Sequence, residues 1–293
     1  MKYAYYPGCT LDTAAREYDV SARAVFRELG AELTDIPDWN CCGSSPAESV
    51  DYLLSMALPA RNLALAEEMG MDVVATCSAC YLSLFKVEQH CQRDPLVRDR
   101  LEEILGAAGL TYRGTTRVRH MLDVIAHDIG LEAVEARVRR RLDGLKVVPY
   151  YGCQTVRPYL EYDGPDLPES MDRLLEAMGA DVVPYNLKTR CCGGILITTA
   201  KDIGVKLVAD LLAEPSEADC FATVCPLCQM NLDAYQADVS RKLGRRVNMP
   251  ILYLTQLMAL AFDLPEEEIM LEKNIVSPKP VLEKLKAPLV PVA

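Results

Sequence analysis

The chain of 293 residues is half hydrophobic and one quarter charged, the balance of a soluble globular protein long enough for two modest domains with real cores. Its formal net charge of −11 argues against a non-specific nucleic-acid surface or anionic-membrane surface, because both would repel the protein at long range. The first residues, Met1 to Cys9, hold no apolar run of signal-peptide length, so the expected location is the reducing cytoplasm, where twelve cysteines speak for metal or redox chemistry rather than disulfides.

Residues 2–6 read as a strand. Residues 14–29 carry Tyr18, Ala22, Val25, Phe26 and Leu29 at helical spacing and stop at Gly30. Leu33 to Ile36 read as a second strand, and 49–69 as a helical region that Pro59 breaks into two pieces before Gly70. Asp72 to Thr76 give a third strand, with a helix after Cys80, and Arg117 to Ile129 a further helical run with His120 and His127 along one face. The second part repeats the order, with strands near 146–151, 181–185 and 219–224 and helices near 166–178, 199–213 and 228–242. The most apolar stretch, Ile251 to Leu264, is too short and too broken by polar residues to span a bilayer and reads as a core or interface helix. Strands alternating with helices imply parallel β-α-β units.

Ten of the cysteines form two copies of one pattern: Cys9, Cys41-Cys42-Gly43, Cys77 and Cys80, then Cys153, Cys191-Cys192-Gly193, Cys225 and Cys228. Leu29-Gly30-Ala31-Glu32-Leu33 likewise aligns with Met178-Gly179-Ala180-Asp181-Val182, and Tyr5-Tyr6-Pro7-Gly8-Cys9 with Tyr150-Tyr151-Gly152-Cys153. A duplication follows, with a boundary near Asp143-Gly144 that divides the chain into residues 1–144 and 145–293. The expected fold is α/β, with two pseudo-symmetric Rossmann-like halves. Each half has a small parallel sheet flanked by helices and its ligand site at the carboxyl ends of the strands, where the cysteines fall. Soft sulfur selects iron–sulfur clusters or zinc. A helix N-terminus at each Cys-x-x-Cys would favour thiolate charge, and Gly43, Gly193 and Gly194 would let backbone approach closely.

With these residues, among them Tyr6-Pro7-Gly8-Cys9, Pro37-Asp38-Trp39-Asn40-Cys41-Cys42-Gly43, Tyr151-Gly152-Cys153, Cys191-Cys192-Gly193-Gly194 and Cys225-Pro226-Leu227-Cys228, the chain resembles the Cys-Cys-Gly family, and within it the HdrB subunits of heterodisulfide reductases. The resemblance covers nearly the whole length. It implies that each set of five cysteines ligates a noncubane [4Fe-4S] cluster. It further implies a catalytic subunit in which a disulfide, typically the mixed disulfide of coenzyme M and coenzyme B, is held between two clusters and split into two thiols by one-electron steps, without acid or base side chains. The implied partners are a ferredoxin-like subunit (HdrC) and a flavin-containing subunit (HdrA), fed by a hydrogenase or formate dehydrogenase. The chain itself carries no ferredoxin-type run, no G-x-G-x-x-G and no Walker sequence, so electrons must arrive from elsewhere. The resemblance leaves room for a relative acting on another sulfur substrate in an oxidative pathway, and for an electron-transfer subunit without a substrate of its own.

Plainer readings stand beside these. A Cys-x-x-Cys with two further cysteines suffices for structural zinc. Cys220 reads as a small buried hydrophobe and Cys91, after His90, as the end of a helical run. Trp39 could shield a cluster or simply pack, and Arg157, Lys188 and Arg190 could anchor an anionic substrate or be solvated loop charges. Ile251 to Leu264 and the Pro-rich tail from Pro278 to Val292 are the segments expected to dock a partner subunit.

Overall fold

A computed structural model describes residues 1–44, 46–159, 162–215 and 217–286. The first half opens with β1 (Lys2–Tyr6), a short α1 (Gly8–Thr13) and α2 (Arg16–Glu28), then β2 (Glu32–Asp35), α3 (Pro46–Val50), α4 (Tyr52–Glu68) and β3 (Val73–Ala75). It continues through α5 (Ser78–Arg93), α6 (Pro95–Ala107), β4 (Val118–His120), α7 (Met121–Asp123), a π-helical turn (Val124–Ile129) and α8 (Leu131–Glu135). The second half runs β5 (Lys146–Tyr150), α9 (Ser170–Ala177), β6 (Asp181–Val182), α10 (Leu196–Thr199), α11 (Lys201–Ala213), β7 (Cys220–Thr223), α12 (Pro226–Ala234), α13 (Gln236–Leu243) and β8 (Ile251–Tyr253). It closes with α14 (Leu254–Ala261), α15 (Glu266–Ile269), a single 3-10 turn and α16 (Lys279–Lys286).

Each half builds one four-stranded parallel sheet, in the order β2-β1-β3-β4 and β6-β5-β7-β8. The chain leaves β1 to one side and returns on the other, so the order reverses between β1 and β3, and between β5 and β7. Such a switch point opens a crevice at the carboxyl edge. The inner strands are buried on both faces, which is why β1, β3, β5 and β7 read as nearly unbroken apolar runs.

The two sheets share a core. Tyr3, Tyr5 and Phe26 of the first half pack in the same cluster as Val147, Leu174, Leu257 and Phe262 of the second. The packing is reciprocal. Helix α2, which follows the first strand of one half, lies on α14, which follows the last strand of the other, while α9 lies on α7 and the π-helical turn. The parallel α/β architecture and the internal symmetry are as expected. The division after residue 144 remains a proposal about the duplication, because the halves do not pack as separate bodies.

Several local expectations are corrected. Pro59 does not break its helix: α4 runs through it with Met56, Pro59, Ala60 and Leu63 buried, and the real break is at Asp51, whose carboxylate caps α4 by accepting from Leu54 N at 2.7 Å. Burial of that face outweighs one missing backbone donor. The run from Arg117 to Ile129 is not one amphipathic helix. Its first residues form β4, leaving His120 fully buried and His127 half exposed on the π-helical turn, so the two rings do not share a helix surface. Ile251 to Tyr253 form a strand before α14, and the segment through Phe262 is buried in this chain, which removes it as a docking surface. Residues 287–293 of the proline-rich tail lie outside the described residues. Smaller shifts separate α1 from α2, divide α12 from α13 at Tyr235, and start α5 and α12 between the two cysteines of each Cys-x-x-Cys instead of after them.

Candidate metal centres

Every motif cysteine stands at the carboxyl edge of its sheet. Cys9 follows β1 inside α1; Cys41 and Cys42 lie in the loop after β2; Cys77 caps the N-terminus of α5 and Cys80 sits in its first turn. Cys153, Cys191, Cys192, Cys225 and Cys228 occupy the matching places around β5, β6, β7 and α12. In the first set the Cys9 and Cys41 sulfurs are 3.8 Å apart and those of Cys42 and Cys80 3.4 Å apart. In the second, Cys192 and Cys228 are 3.5 Å apart, and the Cys191 thiol hydrogen-bonds to Cys153 and Cys192. The two sets approach one another at Cys77 and Cys225, buried side chains whose thiols influence each other across the halves, raising Cys77 and lowering Cys225.

The surroundings suit a cluster of sulfur ligands. Gly8 and Gly152 adopt φ of +74° and +73°, and an added Cβ would lie 3.0 Å from Cys80 Sγ and 3.0 Å from Cys228 Sγ respectively. Backbone N–H groups of Gly43 and Gly193 donate to Cys41 and Cys191 sulfurs at 3.4 and 3.3 Å. The N–H of Cys80 donates to Cys77, and those of Leu227 and Cys228 to Cys225, as a helix N-terminus predicts. Crowding keeps the sulfurs from ionising together: Cys42, Cys191 and Cys225 are lowered by neighbouring thiols that donate to them, and the donors are raised. The buried Cys80 thiol is held well above the ordinary range by its contacts with Cys42 and Cys77 and by burial, and Cys228 likewise by Cys192, Cys225 and burial. A fully deprotonated set therefore calls for a positive partner among the sulfurs. Among the described residues no three His, Cys, Asp or Glu side chains are gathered around a single-ion position. Five soft donors per set, with close-approaching glycine backbone, fit a multi-iron group in chemistry and in number.

The loops that present the Cys-Cys pairs are tied down by residues that motif reading missed. Tyr6 ends β1 and its hydroxyl donates to Asn40 O at 2.8 Å; Tyr150 ends β5 and donates to Arg190 O at 2.7 Å. Each bond grips the residue just before a Cys-Cys. Counting back from Cys9 and Cys153, the structural partners are Tyr6 and Tyr150, one residue off the alignment drawn from sequence. Buried Asn62 holds Asn40 twice, through N–H to Oδ1 and Nδ2 to O, both at 2.9 Å. In the second half Asn231 donates to Gly194 O at 2.9 Å and Cys192 O at 3.3 Å.

Ser78 of the first half reaches the second set. Its hydroxyl bonds Thr155 at 2.7 Å, Thr155 donates to Tyr151 O at 2.6 Å, and His120 Nε2 lies 3.4 Å from Ser78. Burial pushes His120 down to about 4, so the ring is neutral, and because Nδ1 accepts from Leu122 N the proton is assigned to Nε2. A cavity of about 200 Å³ lies here, lined by Cys153, Cys191, Cys225 and Cys228 with Ser78 and Gln154.

Of the three basic residues expected as anion anchors, Lys188 is taken up within the chain, while Arg157 and Arg190 stay accessible. Lys188 is buried, with Nζ donating to Asp172 and Pro168 O, each at 2.7 Å. Arg190 pairs with Asp210 at 3.4 Å, and Arg157 donates to Thr189 O at 2.7 Å. Trp39 packs edge-on against Tyr6, centroids 5.6 Å apart. Cys91 is buried, its thiol pushed up to about 11 by burial, and His90 bonds Tyr52 instead; Cys220 is fully buried in β7.

A duplicated parallel α/β fold that brings two five-cysteine sets to its sheet edges defines a class, and comparison identifies it: the family model described as the cysteine-rich domain, abbreviated CCG, matches residues 3–85 and 147–233. The chain belongs to this family, as its motifs imply. It is 37% identical over 279 residues to the 8-methylmenaquinol:fumarate reductase membrane anchor subunit of Wolinella succinogenes, covering 94% of this chain and 97% of that one. It is 32% identical to an HdrB-like heterodisulfide reductase protein of Archaeoglobus profundus (92% and 93% covered). It is 29% identical to the HdrB subunit of a ferredoxin/F420H2-dependent CoB-CoM heterodisulfide reductase of Methanosarcina acetivorans (97% of each). A crystal structure of a hypothetical protein from Helicobacter pylori shares the fold, with a TM-score of 0.75 at 14% identity, covering 94% of this chain and 52% of that one. Among the described residues no helix is long and apolar enough to cross a membrane.

Proposed function

We propose that this chain is the disulfide-reducing subunit of a multi-subunit oxidoreductase of the heterodisulfide reductase type, working in the cytoplasm. The observation that carries the reading is the approach of two complete five-cysteine sets at Cys77 and Cys225, whose strand ends Tyr18 joins, with a sulfur-lined cavity within the second set. Cys9, Cys41, Cys42, Cys77 and Cys80 would hold one [4Fe-4S] cluster, and Cys153, Cys191, Cys192, Cys225 and Cys228 the other, both of the noncubane kind. Bound there, the clusters would supply one-electron chemistry, two such centres matching the two electrons that a disulfide takes up. The chain does the rest. Gly8 and Gly152 let backbone lie against the sulfurs; Tyr6, Tyr150, Asn62 and Asn231 fix the loops; and Ser78, Gln154 and Leu227 line the cavity of the second set, beside which a disulfide such as that of coenzyme M and coenzyme B would lie. Electrons would come through a ferredoxin-like HdrC partner and a flavin-containing HdrA partner, from a hydrogenase or formate dehydrogenase.

The Wolinella relative favours a second reading, in which the same sites relay electrons within a quinol-linked complex and no disulfide is split. One preparation separates the two. Anaerobically purified protein is expected to hold about eight irons and matching sulfide per chain. With reduced viologen it should release two thiols from the mixed disulfide of coenzyme M and coenzyme B. Iron without thiol release, together with reduction by a menaquinol analogue, would establish the relay reading instead; zinc without sulfide would end both.

A further inference from the structure

The approach of the two cysteine sets is held by a side chain outside either motif. Tyr18, on α2, is fully buried, and its hydroxyl is shared between Thr76 O and Val224 O, 3.0 Å from each. Thr76 immediately precedes Cys77 and Val224 immediately precedes Cys225, so one O–H joins the two strand ends from which these facing cysteines hang. The ring is fixed as well: it stacks on Tyr253 at 4.0 Å with planes 5° apart, and Ser21 one turn further along α2 bonds Thr255 at 2.7 Å. A second bond between halves, Ser78 to Thr155, flanks the same approach.

The duplication supplies an internal comparison. Glu17-Tyr18-Asp19 recurs as Glu161-Tyr162-Asp163 at the same distance after Cys153 as the first follows Cys9. Tyr162 lies parallel to His120, with ring planes 7° apart but centroids 6.5 Å apart, and its buried hydroxyl has no hydrogen-bond partner among the described residues and bridges nothing. The bridging geometry therefore belongs to Tyr18 and is not a by-product of the fold.

We propose that Tyr18 is a positioning residue that fixes the spacing of the two metal centres, and that the approach of Cys77 to Cys225 is the route by which they exchange an electron. The inference rests on the reading of the cysteine sets as iron–sulfur sites. Exchange moves one electron from one centre to the other, with no net oxidation and no proton or further reactant. Centres held by neighbouring ligands would form one magnetically interacting unit, and loss of the Tyr18 hydroxyl would leave Thr76 and Val224 free to separate.

The test uses the anaerobically purified full chain and the variants Tyr18→Phe and Tyr162→Phe, each assayed for iron and sulfide and then reduced stepwise with dithionite and followed by electron paramagnetic resonance. Wild type and Tyr162→Phe are expected to show signals split by spin–spin interaction when both centres are reduced. Tyr18→Phe should keep its iron and lose or narrow that splitting. Two isolated, unsplit signals in iron-loaded wild type, or an unchanged splitting in iron-loaded Tyr18→Phe, would overturn the proposal. Wild type without iron would overturn the site reading itself. If Tyr18→Phe does not retain iron, Thr155→Val, which removes only the neighbouring bond, takes its place: altered splitting supports the proposal and unaltered splitting refutes it.

Discussion

At Gly8 and Gly152 a single methyl group is enough to test the sulfur sites. Alanine there would force its Cβ to 3.0 Å from a ligand sulfur while holding an unfavourable positive φ. Gly152→Ala is expected to reduce bound iron to about half of the wild-type content, Gly8→Ala likewise, and the double variant to near zero, as read by iron and sulfide analysis. An undiminished iron content in Gly152→Ala would remove Cys228 from the ligand set. The gathering of the ten cysteines at the sheet edges was legible from sequence because the spacing of the motif is local and recurs in both halves. Tyr6, Tyr150, Asn62 and Asn231 were not, since their partners are backbone carbonyls and amides brought to them by the fold; only the recurrence of a tyrosine at the same distance before Cys9 and Cys153 pointed that way. Lys188 misled for the converse reason, as sequence shows a cation but not the Asp172 that neutralises it.

Among the elements, α4 shows how a helix end can steer a distant strand. Glu67, in its last turn, accepts from Arg113 N and Thr115 N, both at 2.6 Å, and from the Thr115 hydroxyl at 2.7 Å, and so holds the loop that enters β4. Burial would raise this carboxyl, but those N–H and O–H donors outweigh it and the net shift is below the usual 4.5. A depressed folded value means that the unfolded chain binds more protons in the window between the two values. The stabilisation is therefore present above pH 4.5 and lost as pH falls through the folded value. Wild type is expected to exceed Glu67→Gln by about 1 kcal/mol near neutrality and to lose that advantage in acid, measured by denaturant unfolding at a series of pH values. No advantage at any pH would show that the amide serves equally well, and an advantage that did not change with pH would show that it does not come from the ionised carboxylate. Strand β4 itself, like β8, escaped sequence reading: three buried residues are too few to display alternation, and the apolar positions beyond each blend into the following helix.

For the whole molecule, the shared core decides how the halves behave alone. Residues 1–144 expressed without the remainder would expose the faces of Tyr18, Val25 and Phe26 that α14 covers, and they are expected to be insoluble or unfolded by circular dichroism. Co-expression with residues 145–293 should restore a soluble pair. A well-folded isolated first half would show that the proposed boundary also separates independent domains. The duplication and the parallel α/β class were readable from the chain because they rest on repeated spacing; the reciprocal crossing of α2 onto α14 was not, since nothing local distinguishes a face that packs on its own sheet from one that packs on the other half. That crossing also limits motion. Two lobes tied through each other's helices are expected to resist opening like a clamshell, which would leave the rim beside Cys153 and Cys191 as the way into the sulfur-lined cavity.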